Sequence, residues 1–147
     1  MIKKQSMFQT NFSNKEELFK QVSQSLESAG YVTAGFEEAL VQREREYPTG
    51  LPTKPAVAIP HTSGTFVKAD TIVCVVNNIE LEFNEMGGGK EDVVFPRVIF
   101  VLVLANGETH LSELQKLINK IQEGDLIKKI ITARSEQELE AMVNQYL

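Results

Sequence analysis

The 147-residue sequence predicts an α/β fold, a β-sheet covered by helices. Two observations carry that class. Helical periodicity occupies both ends of the chain, and short runs rich in β-branched residues lie between. Two of those runs, "TIVCVVNNI" (71–79) and "RVIFVLVLA" (97–105), are apolar almost throughout, as strands buried on both faces are. Such strands require helices to cover them.

The elements follow in order. In "SNKEELFKQVSQSLESAG", Ser13 stands three residues before Glu16, the spacing of a capping box. Leu18, Phe19, Val22, Leu26 and Ala29 then keep helical spacing, and Gly30 stops the helix. A second helix is expected over 33–46, with Phe36, Ala39 and Leu40 inward and Pro48 beyond its end. "PTGLPTKP" (48–55) reads as a loop, with three prolines and a glycine in eight residues. "AVAI" (56–59) is a third apolar run, and "NEMGGGKED" (84–92) is a loop. From Leu111 the helical period returns, with Leu114, Leu117, Ile118 and Ile121 on one stripe. "DLIKKIITA" predicts a short helix, and "SEQELEAMVNQYL" a last one, capped by Ser135 with Glu138 three residues on. With no internal repeat and no low-complexity linker, residues 1–147 are expected to form a single domain.

Composition narrows the function. The chain is 42% hydrophobic and 24% charged, with a formal net charge of −5 and no dense basic run. Phosphate-backbone binding needs clustered Lys and Arg, so nucleic acid is not the expected partner. No apolar segment approaches the roughly 20 residues of a membrane span. The start, "MIKKQSMFQTNF", is too polar for a secretory signal. One cysteine, Cys74, excludes an internal disulfide, and a cytoplasmic location is expected. Cys74 lies inside an apolar run, where a buried, inert thiol is expected.

The stretch "AVAIPHTSG" (56–64) carries the first candidate for chemistry. Pro60 fixes its own φ and pushes Ile59 towards extended backbone, so the chain leaves the strand stiffly with His61 next. Thr62, Ser63, Gly64 and Thr65 then offer small hydroxyls and backbone N–H groups suited to an oxyanion. His110, in "LANGETHLSEL", follows the strongest apolar run and lies on the helical stripe of Leu114 and Leu117, so its ring should face inward. Helix N-termini favour anions, and ligand sites in open α/β sheets gather at the carboxyl ends of strands. Arg43 shares a helix side with Phe36 and Leu40, whereas Arg45 points away from it. An arginine on an apolar face needs an anion, either a structural carboxylate, near Glu44 or at Asp70, or a ligand. Two imidazoles and an arginine suit phosphoryl transfer, which needs an in-line nucleophile and fixed positive charge.

These residues also carry a family resemblance. "REREYPTGLPTKPAVAIPHT" resembles the active-site segment of the fructose/mannitol class of enzyme IIA of the bacterial phosphoenolpyruvate-dependent sugar phosphotransferase system. Arg43-Glu44, Pro48-Thr49 and Val57-Ala58-Ile59-Pro60-His61 match its motifs in order, and "NGETHLSELQKL" resembles its later histidine at a helix start. The resemblance spans roughly residues 8–147. It implies a mixed β-sheet with helices on both faces, and no metal or organic cofactor. It implies that His61 accepts a phosphoryl group from the histidine phosphocarrier protein and passes it to a cysteine of enzyme IIB, which serves the membrane permease IIC. Arg43 would neutralise the phosphoryl oxygens, and His110 would hydrogen-bond to them. Where most members have glycine after the active histidine, this chain has Thr62; "PTG", "AIPHT" and Met86-Gly87 are more similar to the galactitol-specific branch.

Other readings predict different things. A regulatory module resembling the nitrogen-related IIA branch would use His61 phosphorylation only to control docking. A metal protein would combine His61, His110 and a carboxylate such as Glu108. "GGGK" (87–90) lacks the phosphate-loop spacing and reads as a turn. Leu51 and Phe66, near the His61 loop, are candidate partner contacts.

Overall fold

The computed structural model describes residues 2–147; Met1, the first residue of the expected domain, lies outside them. The elements run β1 (Lys3–Thr10), α1 (Lys15–Ser28), α2 (Phe36–Glu46), β2 (Gly50–Leu51), β3 (Val57–Ala58) and a 3-10 turn (Gly64–Phe66). Then follow β4 (Thr71–Asn77), β5 (Phe83–Asn84), β6 (Val93–Val94), β7 (Val98–Val103), α3 (Gly107–Gln122), α4 (Asp125–Ile131) and α5 (Glu136–Tyr146). The sheet is mixed, in the order β1-β4-β7-β3-β2, and β5 and β6 form a separate antiparallel pair.

Side chains of the central strands alternate between two cores, as the two-residue period of a strand requires. Val73, Val75, Ile99, Val101 and Val103 face α1 and α2, meeting Leu18, Phe19, Phe36 and Leu40. Ile72, Cys74, Val76, Val98, Phe100 and Leu102 face the other way, onto Leu117 and Ile121 of α3, Ile127 and Ile130 of α4, and Leu139 and Val143 of α5. Every residue of β4 and β7 is buried, which is why both runs are apolar except at Thr71 and Asn77, whose side chains are hydrogen-bonded. Truncating fully buried Phe100 to alanine would cost about 3–5 kcal/mol.

Strand direction sets the working edge. β3 and β7 are parallel, with Val57 opposite Val98 and Ala58 opposite Ile99. Their carboxyl ends therefore open on the same side of the sheet. β4 runs antiparallel to β7, pairing Thr71 with Val103, so Asp70 at its start lies at that same edge.

Three expectations are corrected, and one strand was not expected. β1 was not legible, because its "KKQSMFQT" is an edge strand, paired only to β4, and carries no apolar alternation. Helix α1 is capped by Asn14 and not Ser13: Asn14 Oδ1 accepts from Glu17 N–H at 2.9 Å, the same three-residue spacing one position on. Helix α2 starts at Phe36 and not at 33. Val32 bridges Val67, Thr33 N–H donates to Phe66 O at 2.9 Å, and Gly35 turns the chain at φ 102°, so the preceding residues are tied elsewhere. The loop 48–55 contains β2, which pairs antiparallel with β3 before Pro52 ends it.

Candidate functional site

The Pro60-His61 step lies against β7, where Leu102 N–H donates to Pro60 O at 3.0 Å and His61 bridges Leu102. The His61 ring is then fixed from its own strand. Its Nδ1 is 2.7 Å from Ile59 O, and a carbonyl can only accept, so Nδ1 carries the proton. Nε2 is left with the lone pair.

His110 arrives from the next strand end. Asn106 caps α3, its Oδ1 accepting from Glu108 N–H at 2.8 Å and Thr109 N–H at 3.2 Å. Two N–H groups of the first turn are thus already taken. Gly107 and His110 of that turn line the cleft. One turn in, the His110 ring meets the His61 ring edge to face, with centroids 4.8 Å apart and planes at 87°. Among the described residues the buried His110 Nε2 has no hydrogen-bond partner.

The cleft has a volume of about 390 Å³ and is lined by Arg43, His61, Thr62, Gly107, His110 and three leucines, Leu104, Leu111 and Leu114. All three sequence-predicted residues therefore meet in one place. Arg43 differs from expectation in one respect: it is exposed, and Glu44 takes the buried position after Phe36 and Leu40. The chain returns beneath α2 at Thr49, whose N–H and hydroxyl each donate to the Glu44 carboxylate at 2.8 Å. That return covers the Glu44 side and leaves the Arg43 side open to the cleft. Neither candidate carboxylate partner reaches Arg43. Asp70 instead accepts from Ala105 N–H at 2.8 Å, holding the strand-to-helix loop that leads to His110. Among the described residues no ion pair involves Arg43; its guanidinium carbon lies over the Tyr47 ring, 4.2 Å from the centroid.

The sequence profile described as phosphoenolpyruvate-dependent sugar phosphotransferase system, EIIA 2, matches residues 1–146. The chain belongs to this enzyme IIA family. It is similar to the galactitol-specific EIIA component of Escherichia coli, 25% identical over 128 residues, covering 86% of this chain and 84% of that one. It is 30% identical over 134 residues to the mannitol-specific enzyme IIA component of Bacillus subtilis, covering 90% and 88%. Among solved structures it resembles enzyme IIA in the complex of mannitol enzyme IIA with phosphorylated enzyme IIB from Escherichia coli. The TM-score there is 0.76 at 20% identity, over 95% of this chain and 94% of that one. The nitrogen regulatory protein IIA-Ntr of Neisseria meningitidis gives a TM-score of 0.72 at 26% identity, over 95% and 91%. The chain is thus a phosphotransferase component of the class that carries phosphohistidine, on the mixed-sheet fold of mannitol IIA.

In this enzyme IIA the electrostatics favour neutral imidazoles. Burial is the main cause that lowers the His61 pKa from its ordinary 6.5; His110 and Arg43 push the same way, while the Ile59 carbonyl opposes them. His110 is lowered as well, by burial first and then by Arg43. A cation would meet Arg43 here, and among the described residues no three His, Cys, Asp or Glu side chains converge. Glu108, offered as a third metal ligand, is exposed.

Three site neighbours escaped the sequence. Tyr47, 58% exposed and stacked on Arg43, has no periodic signature, and Leu111, 71% exposed, lines the cleft from the start of the α3 period. Asn106 was detectable, since Asn-Gly-Glu before a helical stripe is a cap signal. Leu51 and Phe66, expected as partner contacts, are partly buried, Phe66 packed against the α1–α2 core and Leu51 against the α3–α5 core. Cys74 is buried as expected, and burial pushes its thiol up. The glycines of "GGGK" form the exposed turn between β5 and β6. Among the described residues no helix is long and apolar enough to cross a membrane.

Proposed function

We propose that this enzyme IIA carries the phosphoryl group on Nε2 of His61, between the histidine phosphocarrier protein and a cysteine of a galactitol-type enzyme IIB that serves a IIC permease. The observation that carries the reading is the Nδ1 contact of His61 with Ile59 O, which leaves Nε2 unprotonated in a cleft shared with Arg43 and His110. The Nε2 lone pair attacks phosphorus in line. The donor P–N bond breaks, and its electron pair stays on the donor nitrogen. In the second step a cysteine thiolate attacks, the His61 N–P bond breaks, and neutral imidazole returns. Arg43 supplies charge to the equatorial oxygens, and His110, in its Nε2–H tautomer, offers them that unpartnered donor. His61 needs no base, because its pKa is already lowered.

The galactitol assignment is supported by the "PTG" and "AIPHT" motifs and by the Escherichia coli relative. The Bacillus subtilis relative is mannitol-specific, so the two relatives agree on a sugar alcohol. The test is phosphoenolpyruvate-dependent labelling with enzyme I and the phosphocarrier protein, then transfer to galactitol-type and mannitol-type IIB. Acid-labile label on the wild type and none on His61→Ala is the expected result; label on the variant would refute the assignment. The likeness to IIA-Ntr favours a second reading, a regulatory module whose docking His61 phosphorylation controls. Labelling of His61 without passage to either IIB would select it.

A further inference from the structure

We infer that Tyr47 is a positioning residue for phosphoryl recognition: its exposed ring holds the Arg43 guanidinium at the cleft in place of a carboxylate. The inference rests on the proposed role of the cleft as an anion site. Three observations carry it. Arg43 Cζ lies over the Tyr47 ring, 4.2 Å from the centroid. Among the described residues Arg43 has no acidic partner, since Glu44 is engaged by Thr49 and Asp70 by Ala105. And the backbone fixes the pair: Tyr47 N–H donates to Arg43 O at 2.7 Å, then leaves the helix at φ −134°, ψ 83°. Residue 47 thus stands four positions after Arg43, where side chains on a helix surface meet.

The chemistry explains why an aromatic face suits this position. A carboxylate would hold the guanidinium equally well, but it would neutralise the charge that phosphoryl oxygens need and occupy its fork of N–H donors. A ring attracts the cation through its quadrupole and adds no net negative charge. Tyr47 is 58% exposed, so core packing does not account for its large side chain. Because the ring and not the hydroxyl makes this contact, phenylalanine should replace tyrosine and leucine should not.

The test uses inorganic phosphate as the probe, titrated into the unphosphorylated chain and read by NMR at His61 and His110. This readout does not depend on any partner protein. Tyr47→Leu should weaken phosphate binding roughly two- to five-fold, the worth of one exposed cation–π contact. Tyr47→Phe should restore it. In an Arg43→Ala background Tyr47→Leu should have no further effect. The Arg43 δ-methylene resonances, shifted upfield by the ring, should return to ordinary positions in Tyr47→Leu alone. Wild-type affinity in Tyr47→Leu, an undiminished loss in the Arg43→Ala background, or a wild type that binds no phosphate would each overturn the inference. Failure of His61 to take label from the carrier protein would instead overturn the carrier reading, while the phosphate titration still decides the role of Tyr47.

Discussion

Gly64 passes so close to Ala105 that a Cβ on residue 64 would lie 2.1 Å from the Ala105 carbonyl oxygen. The two residues belong to the loops that carry His61 and His110. Their contact is backbone on backbone, and it sets how near the two imidazoles come. Asp70 pins Ala105 from the other side, so that loop has little room to retreat.

Gly64→Ala should therefore push the loops apart. The overpacking should cost about 1–3 kcal/mol. A shift of this kind at the reacting groups should slow phosphoryl acceptance by roughly 10- to 100-fold. Urea unfolding alongside phosphocarrier kinetics would check both; a variant with wild-type kinetics would show that the contact does not set the geometry.

The histidines predict a pH dependence with a definite sign. Both folded pKa values lie below the ordinary 6.5. The folded chain therefore binds fewer protons than the unfolded chain just below pH 6.5. The stability they contribute is complete above 6.5 and is lost as pH falls through the lowered values. Acceptance of phosphate from the carrier should stay flat from pH 8 to 6.5 and decline only at lower pH. Two rings in contact titrate as a pair, so NMR should show macroscopic steps, both below 6.5. A first step at or above 6.5 would contradict this.

Glu44 should titrate in the opposite sense. Burial raises its pKa from 4.5 to about 7, against the lowering effect of Thr49 and Lys15. Between those values the folded chain holds a proton that the unfolded chain has released. That stability is complete below pH 4.5 and is lost as pH rises through 7. Glu44→Gln keeps the shape and can both accept from Thr49 N–H and donate to its hydroxyl. Relative to wild type it should gain on the order of 2–3 kcal/mol between pH 4.5 and 8. Urea midpoints across that range measure the difference, and a constant difference would mean that Glu44 is ionised throughout.

Why some of this was legible in sequence follows from the physics. β4 and β7 are buried on both faces, so all their residues but the hydrogen-bonded ends Thr71 and Asn77 are apolar, and the runs announced themselves. His61 and His110 were visible because each follows a strand end, and the parallel pairing of β3 with β7 brings those ends together. β1 was hidden because an edge strand pairs on one side and tolerates Lys, Gln and Ser. Periodicity also misplaced Arg43. It located the residue near the inward side of α2, but which neighbour is covered depends on where the chain returns, and Thr49 returns on the Glu44 side. Asn77 was hidden for a related reason. Its side chain is fully buried and joins β4 to the end of β1 and the loop after it by accepting from Phe12 N–H and Thr10 Oγ1–H and donating to Phe12 O and Ile79 O. None of those partners is near it in sequence except Ile79.

The two capped helices on the far side of the sheet separate stability from function. Asn106 caps α3, and Ser135 caps α5, accepting from Glu138 N–H at 3.1 Å. Replacing either with alanine should cost about 1 kcal/mol, because each leaves first-turn N–H groups without their acceptor. Of these two only α3 carries residues of the cleft, and His110 lies in its first turn, four positions after the cap. Fraying that turn moves His110 relative to His61, whereas fraying α5 moves nothing in the site. Asn106→Ala should therefore slow phosphoryl transfer several-fold beyond what its stability loss explains, and Ser135→Ala should leave transfer unchanged at the same loss. Thermal unfolding and transfer kinetics measured on both variants make the comparison. Equal kinetics in the two would mean that the cap of α3 contributes to the fold and not to the placement of His110.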